Sequence, residues 1–266
     1  MTNYLFLHAH PDDEAIFNSG TIAHLADEGS GNSVHVLFGT DGALGENFSE
    51  VDKCLSAVRK EEAFRSCKLL GVETVGFLPY SDSGLFNESA NQHSFSKVSN
   101  QSLLSTLESH VKDREIDVIV SYDDNGIYPH PDHLQINNLG KLLHSEYNLP
   151  LFETTIDREY LHFVENHVVH HATISLILDS TDGLTLGQKI DMAKRSVGYS
   201  TLDMDVTNNV EKYCPLKREA IKSHTSQVPA DSPLLKLDDY EFYQVYGQEW
   251  FFNRNFDRSL AELIKF

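Results

Sequence analysis

The sequence predicts a Rossmann-like three-layer α/β/α sandwich with a mainly parallel sheet and a site at the carboxyl edge of its strands. Three observations carry this. From Met1 to about His144, short apolar runs alternate with segments of helical periodicity, the grammar of a parallel sheet. Two of those runs, Tyr4–Leu7 and Asp117–Ser121, each lead into a polar turn containing proline and then into a helical pattern. Both turns are loaded with histidine and aspartate: His8-Ala9-His10-Pro11-Asp12-Asp13-Glu14 and Tyr128-Pro129-His130-Pro131-Asp132-His133. In open α/β sheets, ligands bind at such carboxyl-end turns.

Taken in order, Tyr4–Leu7 is the first strand, and Pro11 forbids its continuation inside a sheet. Ala15, Ile16, Ile22, Ala23, Leu25 and Ala26 recur at helical spacing, so a helix runs from Glu14 to about Glu28. Asp12 and Asp13 open it, where the helix dipole favours carboxylates. After the turn Gly29–Asn32, Val34–Phe38 is the second strand, running into Gly39-Thr40-Asp41-Gly42. Val51–Leu70 reads as the second helix, with Gly71 at its C′ position. Arg59 and Glu62, three apart on that helix, have the spacing of an exposed pair. Val75–Leu78 is the third strand, followed by Tyr80-Ser81-Asp82-Ser83-Gly84, in which Asp82 can form an Asx-turn. Asn87–Asn100, rich in serine and asparagine, reads as an exposed, mobile loop and a candidate lid. Leu103–Val111 is a helix, Asp117–Ser121 the fourth strand, and the second motif leads into a helix ending near His144.

Beyond Pro150 the reading is of strands at Tyr160–Val164 and Thr173–Leu178 and helices from Gly187 to about Val197 and from Tyr213 to His224. His162, His167, His170 and His171 form a histidine-rich patch; strand alternation explains most of it, and a second metal site is the sharper alternative. The tail carries Tyr240, Phe242, Tyr243, Tyr246, Trp250, Phe251, Phe252 and Phe256, expected to be buried against the core or a partner subunit of a homo-oligomer, with a carbohydrate-stacking platform as the rival. No low-complexity linker marks a second domain, so 1–266 reads as one domain with a core of about 1–227 and an aromatic extension over 228–266.

Composition narrows the function classes. The chain has 266 residues, 40% hydrophobic and 23% charged, ordinary for a globular protein with a sizeable core. Its formal charge of −19 argues against nucleic acid and anionic membrane as partners, which it would repel. Cys54, Cys67 and Cys214 are too few and too odd in number for a disulfide framework; Cys54 and Cys67 share one helical pattern and read as core or half-buried thiols. No signal-peptide pattern opens the chain and no run approaches the roughly 18 apolar residues of a membrane span, so the expected location is the cytoplasm. A G-x-S-x-G nucleophile elbow and a phosphate-binding P-loop are both absent.

The two loaded turns, meeting above adjacent parallel strands, supply the mixed imidazole and carboxylate donors that zinc or ferrous iron prefers. Together, in this order and each after a strand, His10-Pro11-Asp12-Asp13-Glu14 and His130-Pro131-Asp132-His133 resemble the LmbE-like / PIG-L de-N-acetylase family. Weaker likeness continues through Thr40-Asp41-Gly42, Arg59, Asp82-Ser83-Gly84 and His224-Thr225-Ser226-Gln227; where many relatives have an acidic residue after the Thr-Asp-Gly loop, this chain has Ala43.

The resemblance implies a zinc-dependent N-deacetylase, with ferrous iron as the other candidate metal. The substrate would be an N-acetylglucosamine-type amino sugar conjugate, a small molecule carrying an N-acetyl or other N-acyl group. It implies His10, Asp13 and His133 as ligands; spacing alone does not separate Asp12 from Asp13. A metal with three protein ligands keeps open positions for a water and the amide carbonyl. Asp12 would be the general base acting on the metal-activated water, and His130 would stabilise the oxyanion or protonate the leaving amine. Tyr128 would reach the same oxyanion, and Asp132 would hold a histidine in its tautomer and serve as a helix N-cap. Arg59 and Asp82 are the implied substrate contacts. His8 reads as a packed or supporting histidine and Glu14 as a helix-start residue. The rival enzyme reading is an amidase acting on a thiol-sugar conjugate or an acylated antibiotic; the rival of another class is a non-catalytic sugar- or metal-binding protein.

Overall fold

A computed structural model describes residues 1–48, 54–85, 92–167 and 197–266. Five parallel strands form most of a single sheet: β1 (Asn3–His8), β2 (Ser33–Phe38), β3 (Thr74–Phe77), β4 (Val118–Tyr122) and β5 (Leu151–Thr155). Two antiparallel strands, β6 (Val206–Asn209) and β7 (Gln248–Asn253), complete it in the order β3-β2-β1-β4-β5-β7-β6. The strand order reverses between β1 and β4, and a crevice opens at their carboxyl ends at just such a switch point. Both loaded turns emerge there.

Alternation along each strand divides the core into two layers. Tyr4, Phe6, Val34, Val36, Phe38, Val118, Val120, Phe152 and Phe251 face one side. Helix α1 (Ser19–Leu25) packs there with α2 (Leu55–Leu69), and the remaining helices of that layer come from later in the chain. Leu5, Leu7, Leu37, Ile119 and Leu151 face the other side, against α3 (Asn100–Lys112) and α4 (Pro131–Tyr147). The layers therefore follow from a period of two read through buried strands with apolar residues on both faces.

Helix α5 (Arg158–His167) corrects the expectation of a strand over Tyr160–Val164. Asp157 causes it: its carboxylate accepts the Tyr160 backbone N–H at 2.9 Å, an N-cap bond, and its carbonyl accepts that of Leu161. His162 lies exposed on this helix; the expected Thr173–Leu178 strand, His170 and His171 lie outside the described residues, as does the expected helix from Gly187 except Val197, which is not helical. Asn87–Asn100 is not wholly exposed loop where described: Phe95 is fully buried, a 3-10 turn spans Phe95–Lys97, and Asn100 starts α3. Cys54 is exposed at the N-cap of α2, whereas Cys67 is buried.

Downstream come α6 (Cys214–Lys222), α7 (Pro233–Lys236) and α8 (Asp239–Tyr246), then β7. The aromatic tail buries Phe242, Tyr246, Trp250, Phe251 and Phe252 within this chain, while Tyr240 and Phe256 stay exposed. Strand β7 sits between β5 and β6, and its Glu249 accepts the backbone N–H groups of Gly20 (2.9 Å) and Thr21 (2.8 Å) at the start of α1. A carboxylate there satisfies unpaired donors and the positive helix end together. Lys217 Nζ on α6 donates to the same carboxylate at 2.8 Å, with both side chains buried.

Candidate active site and metal centre

Between β1 and α1 the chain makes two unusual moves. Asp12 has φ of +117°, rare for a residue with a side chain, and Glu14–Asn18 forms a single π-helical turn. The Asp12 carbonyl accepts the N–H groups of Ala15 and Ile16, both at 3.0 Å, so the helix begins at this residue. The turn throws His10, Asp12 and Asp13 over the end of β1. Opposite, the loop after β4 folds back through Gly126 and Ile127, both at positive φ, and delivers Tyr128 and His130 before α4. His130 is the N-cap of α4; its Nδ1 accepts the backbone N–H of Asp132 at 3.1 Å, with Pro131 in the first turn. The expectation that Asp132 would cap is thus corrected: Asp132 lies inside the helix, and the imidazole takes the orphan donor instead.

The two turns bring His10, Asp13 and His133 together. Asp13 Oδ2 is 3.5 Å from His133 Nε2 and 3.8 Å from His10 Nδ1, and all three residues are buried. Each donor is held from behind. His133 Nδ1–H donates to the Gly126 carbonyl at 2.9 Å, which leaves Nε2 as a bare lone pair, buried and without a partner. His10 Nε2–H donates to Asp132 Oδ2 at 3.3 Å, which turns Nδ1 toward Asp13. Asp13 Oδ2 accepts the His10 backbone N–H at 2.9 Å and the Tyr122 hydroxyl at 2.8 Å. Two imidazoles and a carboxylate, each fixed by an outer partner, with one ring nitrogen otherwise orphaned, fit a divalent cation. The electrostatics agree: burial alone would lower the His10 pKa, yet hydrogen bonds to Asp132 and Asp82 and the Asp13 charge lift it to about 10, the mark of a cluster built to hold positive charge.

Around this cluster lie the other predicted residues. Burial raises the Asp12 carboxyl to about 6 against the pull of Arg59, with the Asp13 charge adding to the rise. Burial, then the neighbouring His10 and His133, push His130 down to about 2, so the ring is neutral; with Nδ1 accepting, its proton sits on Nε2. The Tyr128 ring packs at a 49° tilt with its centroid 4.3 Å from that of His133, and burial and the Asp13 and Asp12 charges keep its hydroxyl protonated. Asp132 accepts from the Ser83 backbone N–H at 2.9 Å and from the Ser83 hydroxyl, so β3's loop is tied to α4.

Asp82 accepts the backbone N–H groups of Gly84 (2.8 Å, the Asx-turn bond) and Leu44 (3.0 Å) and lies 3.7 Å from His10 Nε2. It therefore belongs to a second buried group, His10, Asp82, His130 and Asp132, rather than standing apart at a rim. Arg59 is not an exposed partner of Glu62. It is 4% exposed and donates to the carbonyls of Gly42 (2.7 Å) and Pro11 (2.5 Å) and to Asp12 Oδ2 (3.2 Å). Glu62 is also buried and accepts from Thr225 and Ser226 instead.

Sequence reasoning missed Tyr122. It lies one residue past the expected end of the fourth strand, fully buried, and its side chain touches Asp13, Ala9 and His8. The signal was a polar-tipped aromatic closing an apolar run. The segment His224-Thr225-Ser226-Gln227 is tied to the first turn and to the loop after β2: His224 Nε2 donates to Glu14 at 2.7 Å with both side chains fully buried, and Gln227 donates to the Glu46 carbonyl.

Against known proteins, residues 5–143 match the family model described as GlcNAc-PI de-N-acetylase, PIG-L. Among curated relatives, a 1D-myo-inositol 2-acetamido-2-deoxy-α-D-glucopyranoside deacetylase of Thermomonospora curvata is 28% identical over 93% of this chain and 88% of its own length. Its namesake from Thermobifida fusca is 26% identical over 93% and 91%. Among solved structures, the N,N'-diacetylchitobiose deacetylase of Pyrococcus horikoshii superposes with a TM-score of 0.56 at 22% identity, covering 94% of this chain and 82% of that one. A deacetylase of teicoplanin biosynthesis, solved with teicoplanin, gives a TM-score of 0.59 at 17% identity over 96% and 100%. These two likenesses concern the fold. The stretch matched by the family model spans more than half of the chain, runs from β1 into α4 and contains both histidine-aspartate turns: this chain belongs to the PIG-L family of de-N-acetylases.

Proposed function

We propose that this protein is a metal-dependent hydrolase that removes an N-acetyl group from an N-acetylglucosamine-type conjugate, with His10, Asp13 and His133 holding zinc or ferrous iron. The buried, unpartnered Nε2 of His133, facing Asp13 beside His10, carries the reading. The names of the curated relatives, deacetylases of a glucosaminyl-inositol, support the substrate class. A divalent cation in this site supplies a Lewis acid for the amide carbonyl and for the attacking water.

The chain's own residues do the rest. Asp12, 18% exposed and adjacent to the ligand Asp13, takes the proton of the water. His130, neutral with its proton on Nε2, donates a hydrogen bond to the oxygen that gains charge, and the Tyr128 hydroxyl donates to the same oxygen; the proton that Asp12 takes from the water passes to the departing amine. One such donor is worth on the order of 3 kcal/mol in the transition state. Asp132 fixes the His10 ring. Asp82 keeps lone pairs beyond its two backbone bonds for a sugar hydroxyl. Arg59 serves the substrate side through Asp12 and the loop carbonyls it holds. The site draws on residues from β1 to Gln227 and the sheet on residues as far as Asn253, which supports reading 1–266 as one domain. Among the described residues no helix is long and apolar enough to cross a membrane.

The test is acetate release from a panel of N-acetylglucosamine conjugates, including an inositol and a thiol-bearing conjugate and an acylated glycopeptide. The protein is reconstituted with zinc or, anaerobically, with ferrous iron, and run beside Asp12→Asn. Release by the wild type, lost in the variant at unchanged metal content, is the expected result. Release only from the thiol conjugate or glycopeptide moves the substrate to the rival enzyme reading. Stoichiometric metal without turnover on any amide leaves a binding protein, and failure to bind metal refutes the site.

A further inference from the structure

We propose that Glu14 and His224 are positioning residues for Asp12, so that the segment after α6, outside the stretch matched by the family model, makes the base competent. The inference rests on the reading of Asp12 as general base. At φ of +117° the Asp12 backbone is in a conformation that persists only where its surroundings over-determine it. Here they do. Its N–H donates to Glu14 Oε2 at 3.0 Å, Arg59 grips the preceding carbonyl of Pro11 and the Asp12 carboxylate, and the Asp12 carbonyl is locked by Ala15 and Ile16.

Of these holds, Glu14 is the one that depends on the C-terminal part of the chain. Its other oxygen, Oε1, accepts from His224 Nε2 at 2.7 Å, and both side chains are fully buried. His224 is itself fixed: its carbonyl accepts the Val228 N–H at 2.7 Å, and the adjoining Thr225 and Ser226 donate three hydrogen bonds to Glu62 on α2. One buried carboxylate thus joins the C-terminal loop to the peptide that aims the base. Without His224, Glu14 would be a buried carboxylate near Asp12 and Asp13 that has lost its shortest hydrogen bond, and rotating toward another donor releases the Asp12 N–H. The Asp12 peptide could then relax and swing its carboxylate away. Asp13 has separate supports in the His10 N–H and Tyr122, so the ligand set is spared.

The test uses the full, zinc-loaded chain with His224→Ala, Glu14→Ala, the double variant and His224→Gln, each also combined with Asp12→Asn, on a conjugate that the wild type hydrolyses. Each alanine variant is expected to lower kcat by about 100-fold, the scale of a misplaced catalytic group. KM should stay within about threefold, at unchanged zinc stoichiometry and affinity. The double variant should be no worse than the worse single, and His224→Ala should add nothing to Asp12→Asn. His224→Gln, whose amide can still donate to Glu14, should recover much of the loss. It also carries the comparison if the alanine variants do not fold. Without substrate, hydrogen exchange of the peptide spanning the Asp12 turn should quicken roughly tenfold in His224→Ala. Unchanged kcat in folded His224→Ala, a full further loss in the Asp12→Asn background, or loss of zinc would overturn the proposal. Unchanged exchange removes the clamp while leaving the base reading intact; full activity of Asp12→Asn removes the base reading and this inference with it.

Discussion

Replacing Tyr122 by phenylalanine deletes one oxygen and, by the geometry, three hydrogen bonds. The hydroxyl's single proton goes to Asp13 Oδ2 at 2.8 Å. Its lone pairs therefore accept the Ala9 backbone N–H and the His8 Nδ1–H, both at 3.1 Å. Ala9 is fully buried and His8 is 1% exposed, so water cannot replace what is lost. The phenyl ring keeps its packing and opens no sizeable cavity, which isolates the polar cost. Two orphaned buried donors at about 1–3 kcal/mol each put the destabilisation at about 2–6 kcal/mol. Tyr4→Phe is the internal control: its hydroxyl makes one part-buried bond, to the Leu263 carbonyl at 2.6 Å, worth about 1 kcal/mol. The assay is urea unfolding of the metal-free proteins, followed by calorimetric zinc titration of the folded ones. Loss of the brace behind Asp13 should also weaken zinc binding by about tenfold or more. If Tyr122→Phe unfolds no more easily than Tyr4→Phe, or binds zinc as tightly as the wild type, the reasoning about this hydroxyl is refuted.

Two further outcomes follow from the far side of the sheet and from the thiols. Glu249→Ala strips the partner from the buried Lys217 ammonium and the acceptor from two helix N–H groups, and should cost about 3–5 kcal/mol in denaturant unfolding. Glu249→Gln should cost clearly less, and a Glu249→Ala protein within about 1 kcal/mol of wild type would show that β7 does not anchor α1. Cys54 is exposed, whereas burial pushes the Cys214 thiol up to about 11 and raises the Cys67 thiol well above the usual range. A disulfide-exchange reagent at pH 8 should therefore titrate one thiol in the native protein and all three in denaturant; rapid native reaction of a second thiol would contradict the packing of α2 or α6.

What could be read without coordinates was governed by local rules. The buried strands of the parallel sheet announce themselves as apolar runs, and turns with proline and aspartate at their carboxyl ends announce a site. Gly71 was legible because only a left-handed residue ends α2 there, and its φ is +79°. Strand β5 was harder, because Glu153 sits at its centre. That carboxylate is buried against Arg254 and Asn137, so the apolar run is broken by a residue whose partners lie 101 and 16 positions away. The segment over Tyr160–Val164 has the aromatic and branched residues of a strand, and the Asp157 cap overrode them.

By itself, then, the sequence determined which residue types crowd together after β1 and β4 and that the sheet between them is parallel, because hydrophobic periodicity and helix-start chemistry act within a few residues. Which nitrogen of each histidine faces the centre was decided only by tertiary structure. So was the fate of Arg59, which is drawn inward to Asp12, and the joining of Glu14 to His224, 210 residues apart. Those outcomes depend on which distant group satisfies a buried donor or acceptor, and no local pattern encodes that choice. The fold makes it, because burying an unpaired polar group costs more than any local preference can return.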